Sequence, residues 1–430
     1  MEYSMKTRIM GIVAATAMLA FAIFMSPART QAGGDSEVVS SAGATINLSN
    51  FQAASVVIGQ ADFSGGLANQ GLSNPAADTV TTGFGSIGVG PTGALYLADY
   101  SNQRVLGFLA VPSSNDANAD FVLGQPNFTS TGQGDTANQF GGPQSPFVFK
   151  NMLLVSDFYN NRVLIWKKAP TSDQVPADVV IGQANFGTRG TTCTATGLSA
   201  PETIAVGGGK LVVADSSNAR VLIYKKIPKK NGQKPNIVLG QGNFTTCVTL
   251  NNGTGASGSP SAANFSYPAG VWTDGTRLVV TDEDESRVLI WKKFPKKNFQ
   301  KADIVLGQPG FTSAVINNNG SNGSGSPSAS NMNMPYDGVF SNGTQLFVDD
   351  QKNERILVWN TFPTLNFQPA DVVLGQPNFS CGVANNDGTG CHQGAPSANN
   401  LDEVTGIFQI NNQLIVGDGG NSRYLIYDGL

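Results

Sequence analysis

From residue 55 onward, short apolar runs alternate with turn-forming stretches, and the runs sort into two recurring halves. The first half is an extended segment ending in Gly-Gln-x-x-Phe: SVVIGQADF from Ser55, DFVLGQPNF from Asp120, DVVIGQANF from Asp178, NIVLGQGNF from Asn236, DIVLGQPGF from Asp303 and DVVLGQPNF from Asp371. The second half is an apolar triplet, an Asp, a turn, and an Arg followed by another apolar run, as in LLVSDFYNNRVLIW from Leu153 and LVVADSSNARVLIY from Leu211. Its aspartates are Asp99, Asp157, Asp215, Asp282, Asp350 and Asp418, and five residues after each stands Arg104, Arg162, Arg220, Arg287, Arg355 or Arg423. Runs such as Val212-Val213, Val279-Val280 and Val288-Leu289-Ile290 are short, β-branched and apolar at consecutive positions. That pattern predicts strands buried on both faces.

A parallel α/β sheet also buries both faces, but it needs amphipathic helices between its strands. Here the intervening segments are Gly/Ser/Asn/Pro loops. The copies of the first half are spaced 58 to 68 residues apart, which suits one four-stranded blade plus a long loop. The expected fold class is therefore all-β: a six-bladed β-propeller with four-stranded blades over residues 55–430. The chain opens with a first half and ends, at Tyr424 to Leu430, just after a sixth second half. This order predicts that Val56 to Gly59 supplies the outer strand of the last blade, closing the ring and removing two exposed edges.

Asp-x-x-Asn-x-Arg followed by Val-Leu-Ile-Trp resembles the repeat of NHL propellers. The Asn is Asn102, Asn160, Asn218, Asn353 and Asn421, with Glu285 the one departure. The Gly-Gln-x-x-Phe half is similar to a subgroup of extracellular bacterial NHL-repeat proteins. The resemblance implies the propeller; one such architecture hosts many unrelated activities. Motifs present in every blade are expected to be structural, the Asp/Arg pairs bracing tight turns through charge-assisted hydrogen bonds.

Composition agrees with a turn-dense β protein: 40% hydrophobic residues can bury a large core, and 51 Gly and 22 Pro punctuate it. A net charge of −4 gives no global reason to expect a nucleic-acid partner. Residues 1–32 read as an export signal, with basic Lys6 and Arg8, an apolar run from Ile12 to Met25 and a small-residue cleavage site at Thr30-Gln31-Ala32. That run is shorter than the roughly 20 residues of a spanning helix, and no later segment is long and apolar enough to span a membrane. Residues 33–54 are expected to be an N-terminal linker, and the mature protein a secreted monomer, extracellular or periplasmic. All four cysteines lie in long loops; an even count in an exported chain predicts disulfides. Cys381 with Cys391 closes a short loop, and Cys193 with Cys247 joins equivalent loops of adjacent blades.

Candidate chemistry lies where the blades differ. A single His392 rules out multi-histidine zinc sites, and with them the zinc chemistry of the peptide-amidating lyases that share this resemblance. No metal site is expected on local motifs. Glu202, Asp337 and Glu403, with Asp78, are blade-specific carboxylates expected near the starts of the inner strands at the channel mouth, where oxygen ligands suit Ca²⁺. Basic clusters follow the Trp/Tyr runs of three successive blades: Lys167 and Lys168; Lys225, Lys226, Lys229, Lys230 and Lys234; Lys292, Lys293, Lys296, Lys297 and Lys301. They offer a site for an anionic polysaccharide or envelope lipid, or simply protect sheet edges. The leading functional expectation is a secreted, non-enzymatic binding or scaffold module without a cofactor, taking a protein or polysaccharide ligand. The alternative is a carboxylate- and Ca²⁺-dependent hydrolase or lyase at the channel mouth.

Overall fold

Runs of apolar residues without polar alternation can pair only where sheets pack on both sides, and a ring of stacked sheets meets that condition. The computed structural model of the chain describes residues 44–81 and 86–430. It contains six four-stranded antiparallel sheets, each with its strands in sequence order except the last. Blade 3 is typical: an inner strand Pro201–Gly207, then Lys210–Asp215, Arg220–Tyr224 and the outer Ile237–Leu239. Its registers place Gly207 opposite Lys210, Asp215 opposite Arg220, and Leu211 opposite Tyr224. Blade 1 begins at Gly88–Val89, blade 2 at Pro143–Phe149, blade 4 at Pro268–Thr273, blade 5 at Val339–Ser341 and blade 6 at Val404–Ile410. Blade 5 departs from the expected start near Pro335: its inner strand begins four residues later, because the amides of Tyr336 and Gly338 turn to bond the Asp349 carboxylate instead of a neighbouring strand. Among the described residues no helix is long and apolar enough to cross a membrane. The proposed signal at residues 1–32 lies outside the described residues.

Blade 6 closes the ring. Val56–Ile58 pairs with Arg423–Asp428, Val57 facing Leu425, so the sheet order runs from the N-terminal strand back through the last three. The alternating side chains of this strand serve two interfaces: Val57 joins the core shared with blade 5, while Val56 and Ile58 join the core shared with blade 1. Residues 44–54, outside the repeats, strap blades 5 and 6 together. The Ile46 amide donates to Gln345 Oε1 at 2.8 Å, the Phe51 amide to the Val373 carbonyl at 3.1 Å, and the Leu430 amide to the Asn47 carbonyl at 2.9 Å.

The repeated polar residues brace the turn between the second and third strands. In blade 3, Arg220 Nε donates to Asp215 Oδ2 at 2.6 Å, Asn218 Nδ2 to the same oxygen at 2.9 Å, and the other guanidinium nitrogens to the carbonyls of Phe244, Thr194 and Gly197. One fully buried arginine thus ties its own turn to the Gly-Gln-x-x-Phe loop and to the long loop before its blade. The Asp–Arg ion pair recurs in the other five blades, but Glu285 replaces the Asn in blade 4, and in blade 2 Arg162 bonds the Asp135, Thr136 and Gln139 carbonyls of the long loop alone. The residue before each Arg (Gln103, Asn161, Ala219, Ser286, Glu354, Ser422) adopts a left-handed conformation with φ between 48° and 57°.

Strand direction divides the ring into two ends. The Asp/Arg turns and the long loops, including the disulfides Cys193–Cys247 and Cys381–Cys391 with Cα separations of 6.1 and 5.0 Å, form the loop face. The hairpins joining first to second strands, and the loops joining third to fourth, form the hairpin face.

Candidate functional site

Inner strands line the axis, and their side chains divide it into two unlike parts. Toward the loop face, Glu202 of blade 3 and Asp337 of blade 5 are both 1% exposed and face each other through their carboxyl groups. Tyr267 of blade 4 donates its hydroxyl to Glu202 Oε1 at 2.7 Å, and Tyr336 also bonds Glu202. Among the described residues no neutral donor reaches either Asp337 oxygen. Two facing buried carboxyls, one of them without any such donor, favour a shared proton over two charges. Burial, and then the Glu202 charge, push the Asp337 pKa well above its ordinary value, and burial raises Glu202 as well. Beside them Asp349, also pushed well up by burial, is met by the amides of Tyr336 at 2.8 Å and Gly338 at 3.0 Å.

Above this pair the loop face carries an acidic depression of about 410 Å³ lined by Tyr267, Glu283, Asp284, Tyr336, Gln351, Lys352 and Glu403. Burial and the neighbouring Glu202 and Asp284 charges push Glu283 up to about 8. Burial likewise raises Glu354 to about 8. Of the four carboxylates singled out in sequence, Glu202 and Asp337 come together. Glu403 stands on the rim, 3.0 Å from Lys352 Nζ. Asp78 lies in the outer loop whose Ala76 and Thr79 carbonyls accept from Arg104. Among the described residues, no group of three or more His, Cys, Asp or Glu side chains is placed to hold a metal ion.

Toward the hairpin face the axis is apolar. A cavity of about 400 Å³ is walled by all six inner strands, with Ile87 and Val89, Phe147 and Phe149, Ile204 and Val206, Val271 and Trp272, Val339 and Phe340, and Ile407 and Phe408 among its lining. Its opening is marked by exposed Pro91, Gly208 and Asn411. Ring packing fixes the wall: Phe340 and Phe408 centroids are 5.2 Å apart, and Trp272 is backed by Phe362 at 6.0 Å and by the Arg277 guanidinium at 5.5 Å. Arg277 is itself held by Asp274 at 2.8 Å. The hairpins meet closely at the opening: a Cβ on Gly207 would lie 2.5 Å from the Gly275 nitrogen, so this position takes only glycine. Glu202 is two residues before Ile204 on one strand, so the acid pair stands on the loop-face side of the cavity and outside its lining.

This apolar space is the feature sequence reading missed. Its signal was present in the period-two spacing of Phe147 and Phe149, and of Ile204 and Val206. Asp349 was equally visible as the one acidic residue at a position held elsewhere by Ala98, Ser156, Ala214, Thr281 and Gly417. All twelve clustered lysines are exposed. They lie on the hairpin face, since Lys167, Lys225 and Lys292 follow strand ends Trp166, Tyr224 and Trp291 that pair with the starts of the second strands.

Fold and site together define a six-bladed β-propeller with an apolar central well toward one face and a buried pair of carboxyl groups toward the other. No family model matches the chain, and no curated protein matches it. Among solved structures it is similar to a structural genomics protein of unknown function from Bacteroides thetaiotaomicron, at 13% identity and TM-score 0.44 over 86% of this chain and 75% of that one. A structure of a nidogen/laminin complex aligns at 13% identity and TM-score 0.38, over 70% and 85%. A computationally designed protein aligns at 9% identity and TM-score 0.34, over 80% and 70%. The fold class rests on the sheet topology itself.

Proposed function

We propose that the protein is a binding propeller of the NHL-repeat type, acting outside the cytoplasm, whose central well takes up one apolar small molecule. The well carries this reading: about 400 Å³ of space walled by aliphatic and aromatic side chains falls in the range of pockets that enclose small ligands. Two disulfides support an oxidising compartment. The protein binds rather than converts its ligand on this reading, because Glu202 and Asp337 are sealed from solvent and spend their polar contacts on each other and on two tyrosines.

Titration with the neutral, apolar dye N-phenylnaphthylamine tests it. Fluorescence should rise to a plateau at one dye per chain. Val206→Trp, which extends an indole into the well, should abolish the rise while leaving the melting temperature within a few degrees of the parent. Equal dye binding by parent and variant would show that the well is not the site.

A further inference from the structure

The hairpin face has a second character besides its apolar opening. In the loops joining third to fourth strands of blades 2, 3 and 4, spanning 167–178, 225–236 and 292–303, twelve lysines stand against three aspartates, Asp173, Asp178 and Asp303. All three of those aspartates are already engaged, accepting the amides of Val122, Lys167 and Lys292 at 2.8 Å. The equivalent loops of blades 1 and 5 carry no lysine and instead expose Leu109 (52%) and Leu365 (68%). These loops are anchored to the rim of the well. Lys210, on the blade 3 hairpin, lies 4.9 Å over the Phe294 ring of the blade 4 loop, and the Ala169 amide donates to the Asn151 carbonyl of the blade 2 hairpin at 2.7 Å. The acidic groups gather at the other end, where Glu283, Asp284, Glu354, Asp402 and Glu403 surround Lys352.

We infer that the hairpin face docks on an anionic lipid surface, the lysine loops of blades 2 to 4 lying against headgroups while Leu109 and Leu365, exposed on the same face, enter the interface. A cationic face attracts any polyanion. Exposed leucines and an apolar opening on that same face gain nothing from a hydrated polysaccharide, whereas they lose water at the acyl boundary of a bilayer. Among the described residues the loop face carries no comparable lysine cluster, which sets orientation. Docking is independent of the ligand in the well.

Flotation with vesicles tests this. The protein should rise with vesicles of equimolar phosphatidylglycerol and phosphatidylcholine and stay behind with phosphatidylcholine alone. Replacing Lys225, Lys226, Lys229, Lys230 and Lys234 together by Gln should weaken binding at least about thirtyfold, the equivalent of two lysine–surface attractions lost. Leu109→Ser combined with Leu365→Ser should weaken vesicle binding but leave retention on a soluble sulfated polysaccharide unchanged. Val206→Trp should float as the parent does, so failure of the ligand reading and failure of docking are separate results. Absence of flotation with anionic vesicles, parental flotation of the five-lysine variant, or indifference to the leucine changes would each overturn the inference.

Discussion

Asp337 is a carboxyl group buried among other acids, and burial raises its pKa. Burial raises the pKa of both Asp337 and Glu202, so the folded chain holds protons that the unfolded chain releases near the ordinary carboxyl values of 3.8 and 4.5. Where the folded state binds more protons, stability falls as pH rises. The loss begins above those values, and Glu283 and Glu354 extend the window to about 8. Asp337→Asn supplies an amide donor to Glu202 without a proton. Relative to the parent, this variant should therefore gain melting temperature on going from pH 4.5 to pH 8. Each unit of raised pKa removed is worth ~1.4 kcal/mol. Parallel melting curves for the two proteins across that window would refute the shared-proton arrangement. Glu202 and Asp337 could be picked out because they break the repeat near inner-strand starts. Convergence of these carboxylates with Glu403 was expected from those starts; that Glu403 stays on the rim beside Lys352 was not legible.

At the scale of elements, Val56–Ile58 carries more than its length suggests. Three residues complete a sheet, and their side chains divide between two inter-blade cores. Val57→Asp would put an unpaired charge at a fully buried position in that strand. The expected cost is at least ~3 kcal/mol, seen as a lower denaturant midpoint or loss of soluble protein. Val57→Thr, of similar shape, should be much milder. A Val57→Asp protein that unfolds at the parental midpoint would show that the strand does not hold the ring. This closure was legible in the order of the half-repeats, because an unpaired half at each end has one economical partner. The strap formed by residues 44–54 was not. Its bonds run mainly from backbone groups and from Gln345, Asn342 and Gln409, residue types that carry no positional pattern.

For the whole molecule, the six repeats made blade number and strand order readable, since each copy obeys the same pairing rule. The axis was not readable in the same way. The well is a property of six inner strands acting together, and each contributes only one or two side chains to it. Its dimensions nevertheless yield a quantitative expectation. In a series of straight-chain alcohols, each added methylene buried in the well is worth about 0.8 kcal/mol, so affinity measured by dye displacement should rise about fourfold per carbon. The rise should stop at a definite chain length, beyond which further carbons protrude. Continued growth in affinity without a break would mean that chains thread past Glu202 and Asp337.

The proposed single opening of the well has a further consequence. A passage open at both ends can pass a molecule from one side to the other while the protein stands still. A vessel with one opening returns whatever it receives through the same door. Loading and unloading are then one step run in opposite directions, and a ligand changes surroundings only when the entire propeller does. On the function proposed above, the protein acts as a carrier rather than a conduit, and its cargo moves only as far as the protein diffuses.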